Sequence, residues 1–321
     1  MSRILVTGAN GFVGQALCCA LSEQHEVIAS MRQETSFPSG VTRNVNPDID
    51  STTDWGSCLG GVNVVIHLAA HVHVHDEFCT QSDIFNRVNL DSTVNLARQA
   101  ASAGVERFIY LSTVKVHGEN TASRAFTEED EPRPRGAYAL SKLSAEQALA
   151  EIGRETGMAI VIIRSPLVYG PGVRANFYQL LELVQRIRFL PFAAIRNRRS
   201  MIFLGNLVDS LALCVTHPGA RNRTYLVSDG EDVSTPQLVQ RLAKAMHHPV
   251  LLFALPLSWM KAAAWLLGKS SAIDRLTQSL AVDITKIRNE LGWQAPYTLH
   301  QGLQITADWY LRSKQEIIPS S

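Results

Sequence analysis

The chain has 321 residues, and its 30 Lys+Arg against 29 Asp+Glu give a formal charge of +1. That balance lacks the strongly basic signature of polyanion binders, so neither nucleic acid nor an acidic membrane is an expected partner. Hydrophobic residues make up 46% and charged residues 18%, against a usual charged share of about 25%, which excludes disorder and suggests surface buried against a ligand or a second subunit.

The first apolar run, Ile4-Leu5-Val6, leads straight into glycines. No basic region and long apolar core precede them, so no secretion signal is expected and a cytoplasmic location is. Short β-branched runs at Arg3–Thr7, Glu26–Ser30, Asn63–Leu68, Arg107–Ser112 and Ala159–Arg164 predict buried strands. Between them, Phe12–Ser22, Ser82–Ala103 and Ala137–Thr156 carry apolar residues at helical spacing, with Gly104 and Gly157 as stops. Such alternation predicts an α/β protein with a Rossmann-like, doubly wound parallel sheet. After Gly170-Pro171-Gly172 the pattern loosens. Residues 1–170 therefore read as a dinucleotide-binding domain and 171–321 as a smaller α/β substrate-binding region interleaved with it.

Directly after the first strand stands Thr7-Gly8-Ala9-Asn10-Gly11-Phe12-Val13-Gly14, T-G-x-x-G-x-x-G opening a helix. Gly8 allows the tight turn, Gly11 admits a pyrophosphate to the backbone, and Gly14 lets helix and strand pack closely. Gly8, Asn10, Gly11, Phe12, Val13 and Gly14 are thus candidate cofactor contacts. The second strand ends Ser30-Met31-Arg32, with no carboxylate for an adenosine ribose. Arg32 can instead meet a 2′-phosphate, which favours NADP(H) over NAD(H) while leaving NAD(H) possible. Asp48 and Ile49, after the third strand, are candidate partners of the adenine.

Tyr138 and Lys142 form Y-x-x-x-K on a predicted helix. The spacing puts both on one face, where an ammonium would pull the phenol from about 10 towards neutrality and make it an acid/base group. Thr113 follows the fourth of these runs at the sheet's carboxyl edge, placed to hydrogen-bond a reacting oxygen.

With these motifs in hand, the chain resembles the extended short-chain dehydrogenase/reductases, in their NAD-dependent epimerase/dehydratase branch. The resemblance adds His67-Leu68-Ala69-Ala70, Asn89, Ser112-Thr113 and Ser165-Pro166-Leu167-Val168-Tyr169-Gly170-Pro171-Gly172. It implies that Leu68, Ala69, Ala70 and Pro166 lie against the cofactor and that Lys142 also binds the nicotinamide ribose. It further implies that Asn89 supports the catalytic helix, that His71 and Asn176 line the sugar pocket, and that Arg199 grips the nucleotide diphosphate. A homodimer formed through the two long helices is also implied.

Sugar-nucleotide 4,6-dehydratases carry Asp-Glu after the Thr at the strand end; this chain has Val114-Lys115, so dehydration is not expected. Two reactions remain. One is NADPH-dependent reduction at C4 of a UDP-linked 4-keto-6-deoxy-N-acetylhexosamine, as in O-antigen and lipopolysaccharide sugar synthesis; the other is 4-epimerisation of a UDP-sugar with tightly held NAD. Val114–Glu119, Ala175–Phe177 and Leu226–Asp232 resemble the bacterial reductases and epimerases of O-antigen synthesis, in particular those reducing such a keto sugar, and the absent ribose acid favours reduction. A non-catalytic dinucleotide sensor is the competing class, against which the intact Tyr138/Lys142 pair speaks.

Several signals are assigned bland roles. His71, His73 and His75 alternate with valines and are expected in the sugar pocket, with no metal. Cys18, Cys19, Cys58, Cys79 and Cys214 show no C-x-x-C pair and read as reduced core residues. Glu128 to Glu131 reads as a solvated loop, and Trp259, Trp265, Trp293 and Trp309 as core. Pro249 to Gly268 is the most membrane-like stretch, but its prolines and Lys261 predict buried helix instead.

Overall fold

The computed structural model describes residues 1–45, 49–71, 81–122, 124–266, 268 and 270–316. The large sheet has seven parallel strands: β1 (Arg3–Thr7), β2 (Glu26–Met31), β3 (Val41–Val45), β4 (Val64–His67), β5 (Arg107–Thr113), β6 (Ala159–Ser165) and β10 (Arg223–Leu226). Their order is β10-β6-β5-β4-β1-β2-β3, so the winding direction reverses between β1 and β4. Ligands of such sheets bind outside the strands' carboxyl ends at that reversal.

Both faces are covered. On one, α1 (Phe12–Leu21), α7 (Leu204–Thr216) and α11 (Thr285–Leu291) bury Leu17, Leu211 and Ile287 against β1, β2 and β6. On the other, α2 (Gly56–Leu59), α4 (Ser92–Ser102) and α5 (Gly136–Thr156) bury Leu59, Leu96 and Leu149 against Leu5, Val65 and Phe108. Strands covered on both faces become continuous apolar runs, which is why the first half of the sequence is so readable. Gly157 closes α5 with a φ of +78°, a left-handed stop suited to glycine.

The predicted Ser82–Ala103 helix is not uniform. It consists of α3 (Gln81–Phe85), a π-helical segment Asn86–Asp91, and α4. The widened turn contains Asn89, and such bulges concentrate at functional sites.

Beyond residue 170 the chain contributes to both bodies. α7 and β10 complete the large sheet, whereas α6 (Ala175–Arg186), α8 (Thr235–Ala245) and α12 (Leu299–Glu316) enclose a second core around Phe177, Leu242 and Leu303. Two small parallel pairs edge this region, β7 (Leu167–Tyr169) with β9 (Met201–Phe203) and β8 (Phe189–Leu190) with β11 (Leu251–Leu252). The remaining helices are α9 (Leu257–Leu266) and α10 (Ser270–Thr277).

Three expectations need correction. α9 buries only Met260 and Ala264, and Trp259 and Trp265 are 70% and 74% exposed; of the four tryptophans expected in the core, Trp293 is buried and Trp309 partly buried. Cys19 is exposed while Cys18, Cys58 and Cys214 are buried, because neighbouring helical positions face apart; Cys79 lies outside the described residues. Glu128 is partly buried rather than solvated, its carboxylate accepting the Leu226 N–H at 2.7 Å, and burial raises its pKa.

Candidate active site

The glycine turn is built by exclusion of side chains. Gly8 takes a φ of +67°, and a Cβ there would stand 2.8 Å from the Ala69 nitrogen, so the first turn and the segment after β4 touch. A Cβ on Gly14 would lie 2.2 Å from the Gly8 carbonyl oxygen, which no side chain tolerates. Gly11 donates to the same carbonyl at 2.9 Å and precedes α1 with no side chain capping the helix, leaving the first N–H groups to meet an anion. A cradle closed to side chains yet open to phosphate fits a dinucleotide. Gly8, Asn10, Gly11, Phe12, Val13, Gly14, Leu68, Ala69 and Ala70 would hold it.

At the end of β2, Met31 is buried and Arg32 exposed. Asn10 ties the glycine turn to this end through the Gln33 carbonyl at 3.3 Å. The first acid beyond it, Glu34, is exposed and paired with Arg43 at 3.0 Å. Ile49 packs against the core around Trp55 and Leu96, and Asp48 lies outside the described residues.

A row of polar groups crosses the sheet beneath this turn. Register aligns Ser30, Thr7, His67 and Tyr110 on adjacent strands. His67 is fully buried, its Nδ1 2.7 Å from the Thr7 hydroxyl and its Nε2 2.9 Å from the Thr93 hydroxyl. Thr93 donates its own proton to the Asn89 carbonyl at 2.8 Å, so Nε2 carries the imidazole proton and Nδ1 accepts from Thr7. Burial, with Lys142 nearby, pushes His67 down to about 3. The motif His67-Leu68-Ala69-Ala70 includes this histidine, but the sequence assigns it no role of its own.

Tyr110 stacks on His67, the ring centroids 5.8 Å apart. The Lys142 ammonium also stands over the Tyr110 ring, 4.0 Å from its centroid, an attraction of a cation for the ring face. One turn further along α5, Glu146 accepts from Ser112 on β5 and from Arg164 Nε at 3.2 Å. Arg164 Nη1 donates to His117 Nε2 at 2.8 Å, and burial beside that guanidinium pushes His117 down to about 4. Glu146 continues the spacing as Y-x-x-x-K-x-x-x-E, a legible signal that was not used.

The expected effect of the ammonium on the phenol needs correction. Burial raises Tyr138 to about 12 and lowers Lys142 to about 7, with Glu146 partly opposing the latter. The cause at Tyr138 is burial, which disfavours the charged phenolate.

Asn89 knits the site together. Its Oδ1 accepts the His71 N–H at 2.7 Å, and its Nδ2 donates to the His71 carbonyl at 3.1 Å and to the Ser141 hydroxyl at 3.0 Å. It thus holds the segment after β4 against α5 beside Lys142. His71 meets the edge of Phe85 at 5.5 Å, and Phe85 meets Tyr138 at 6.1 Å. His73 and His75 lie outside the described residues, among which no three His, Cys, Asp or Glu are grouped to hold a metal.

Thr113, 9% exposed at the end of β5, accepts the Lys115 N–H at 3.3 Å, so its hydroxyl proton remains to be donated. Pro166 is buried just past β6, and a Cβ on Gly172 would lie 3.6 Å from the Phe12 ring, so this segment reaches the glycine turn. Asn176 is exposed in the first turn of α6, after Ala175 at a φ of +53°. Arg199 donates to the Arg275 carbonyl on α10, and burial lowers its pKa. No described contact joins Asn176 or Arg199 to the Tyr138 cluster. The contribution of α10 was missed, having no motif of its own.

A doubly wound sheet with a glycine turn at its reversal and a Tyr/Lys helix beside it defines a nicotinamide-dinucleotide enzyme. The profile of the NAD dependent epimerase/dehydratase family matches residues 4–228, and the chain belongs to that family. It is 41% identical over 315 residues to a UDP-glucose 4-epimerase of Vibrio cholerae, covering 97% of this chain and 96% of that one. It is 26% identical to the N-acetyl-alpha-D-glucosaminyl-diphospho-ditrans,octacis-undecaprenol 4-epimerase of Escherichia coli O157:H7, over 98% of each chain. The fold is shared with the NAD complex of a Bacillus cereus UDP-glucuronic acid 4-epimerase, at a TM-score of 0.77 and 22% identity over 97% of this chain and 99% of the other.

Proposed function

We propose that the protein reduces the C4 ketone of a UDP-linked 4-keto-6-deoxy-N-acetylhexosamine with NADPH. The observation that carries the choice is the end of β2, where Met31 is buried, Arg32 is exposed and Glu34, the next acid in the chain, is engaged by Arg43. Among the described residues that end offers no unengaged carboxylate for a 2′-hydroxyl, and it presents the exposed Arg32 guanidinium for a 2′-phosphate. A bound nicotinamide supplies the hydride. Tyr138 gives its phenolic proton to the oxygen developing at C4, and the Thr113 hydroxyl donates a hydrogen bond to the same oxygen. Lys142 stabilises the phenolate left behind. Val114 is buried and Lys115 is exposed and paired with Glu119, so no acid/base pair for eliminating water follows Thr113.

A second reading is 4-epimerisation of a UDP-hexose with retained NAD, favoured by the 41% identical relative. Mixing the purified protein with NADPH and the UDP-4-keto sugar separates them. Stoichiometric loss of reduced nicotinamide supports the reductase. Interconversion of UDP-glucose and UDP-galactose without net cofactor change supports the epimerase, and neither outcome leaves the sensor. Homodimerisation, UDP as the nucleotide and a cytoplasmic site belong to the same proposal.

A further inference from the structure

α9 has only Ser258 and Lys261 as polar residues, yet it buries just Met260 and Ala264. A helix apolar nearly all round belongs in a core or against an apolar partner. Around it, Phe189, Leu251, Phe253, Trp259, Trp265 and Leu266 are between 48% and 76% exposed. They come from elements joined by strand pairing and by the chain. β8 pairs with β11, Phe253 donates to the Leu190 carbonyl at 3.0 Å, and the chain passes from Phe253 through Pro256 directly into α9. Such concentrations of exposed apolar surface mark interaction sites.

The charge of this surface names the partner. From Leu183 to Val208 and from Val233 to Ile273 the sequence contains no Asp or Glu, although the whole chain is near neutral. The exposed Arg188, Lys244 and Lys261 form no ion pair among the described residues. Beside β11, a hollow lined by Lys244, His247 and His248 adds further nitrogen donors. Exposed tryptophans among unpaired cations, with acids absent, match the boundary of an anionic bilayer, where indole rings sit at headgroup level and Lys/Arg meet phosphate. No helix of the described residues is long and apolar enough to cross a membrane, so contact is in the plane of the surface. Net charge concealed this, because acids elsewhere in the chain cancel a local excess.

We infer that the face formed by α9 and the β8/β11 pair docks on anionic phospholipid. α9 leads into α10, whose Arg275 carbonyl holds Arg199, so docking would bring the membrane beside the region expected to bind the diphosphate.

The full chain, incubated with vesicles of phosphatidylcholine alone or with added phosphatidylglycerol, tests this by co-sedimentation and tryptophan fluorescence. Expected is binding to the anionic vesicles, weakened by salt, with a blue shift from Trp259 and Trp265, since Trp55 and Trp293 are already buried. Trp259→Ala with Trp265→Ala should reduce partitioning more than about tenfold, and Lys261→Gln or Arg188→Gln about fivefold each. These are surface positions, so unchanged Tm and circular dichroism exclude misfolding. Equal binding by the variants, or no binding by the wild-type chain, overturns the proposal. So does a Trp259/Trp265-dependent dimer in sedimentation without vesicle binding, which would make the occupant a second copy.

Discussion

Glu146 and Arg164 form a buried pair, Arg164 Nε lying 3.2 Å from each carboxylate oxygen and Nη2 2.5 Å from Oε2. The pair joins α5 to β6, and Glu146 also accepts from Ser112 on β5, so one carboxylate fixes α5 across two strands. Removing one partner of such a pair strands the other charge, at a cost of about 3–5 kcal/mol. Glu146→Gln should therefore lower stability by that order in denaturant unfolding. Adding Arg164→Met should recover part of the loss in a double-mutant cycle.

Tyr138→Phe removes the proton donor and nothing that packs. kcat should fall about 10²- to 10⁴-fold, with dinucleotide affinity and Tm unchanged. Turnover near the wild-type rate would exclude Tyr138 as the acid.

The Lys142 ammonium is held at about 7, against an ordinary 10.5. Between these values the unfolded chain binds a proton that the folded chain does not, so folding stability rises with pH across that window. Lys142→Met lacks this dependence. It should be more stable than the wild type near neutrality, and the gap in Tm should narrow as pH rises towards about 10.5; a constant gap would contradict the buried ammonium. Activity should be lost at every pH.

His67 gives a pH dependence of the same sign in a more acid window. Its folded value of about 3 lies below the ordinary 6.5, so the neutral ring is favoured by folding, and the resulting stability is lost as pH falls from 6.5 towards 3. His117, at about 4, acts in the same direction. His67→Gln should cost stability at neutral pH, by disturbing bonds to Thr7 and Thr93, but should flatten the acid limb seen in the wild type.

Gly14→Ala would place a methyl 2.2 Å from the Gly8 carbonyl oxygen. The turn must open, so dinucleotide binding measured by fluorescence quenching should be abolished. Gly104→Ala serves as the control. Nothing lies within 4 Å of its added Cβ, so its cost is confined to the strain of a φ of +81°.

The sequence alone determined the alternating strands and helices, the glycine turn and the Tyr138/Lys142 pair, because these depend on local spacing, on buried parallel strands and on backbone positions open only to glycine. Local spacing also predicted one continuous helix over Ser82–Ala103, and could not anticipate the π-helical segment that carries Asn89 to His71 and Ser141. Only the tertiary structure brought together Glu146, Arg164 and His117, residues drawn from α5, β6 and the loop after β5. It also decided that burial raises the Tyr138 phenol, since desolvation depends on what surrounds a group rather than on its neighbours in the chain. The same dependence explains the tryptophans: composition marked Trp259 and Trp265 as core, and the three-dimensional packing left them on the surface.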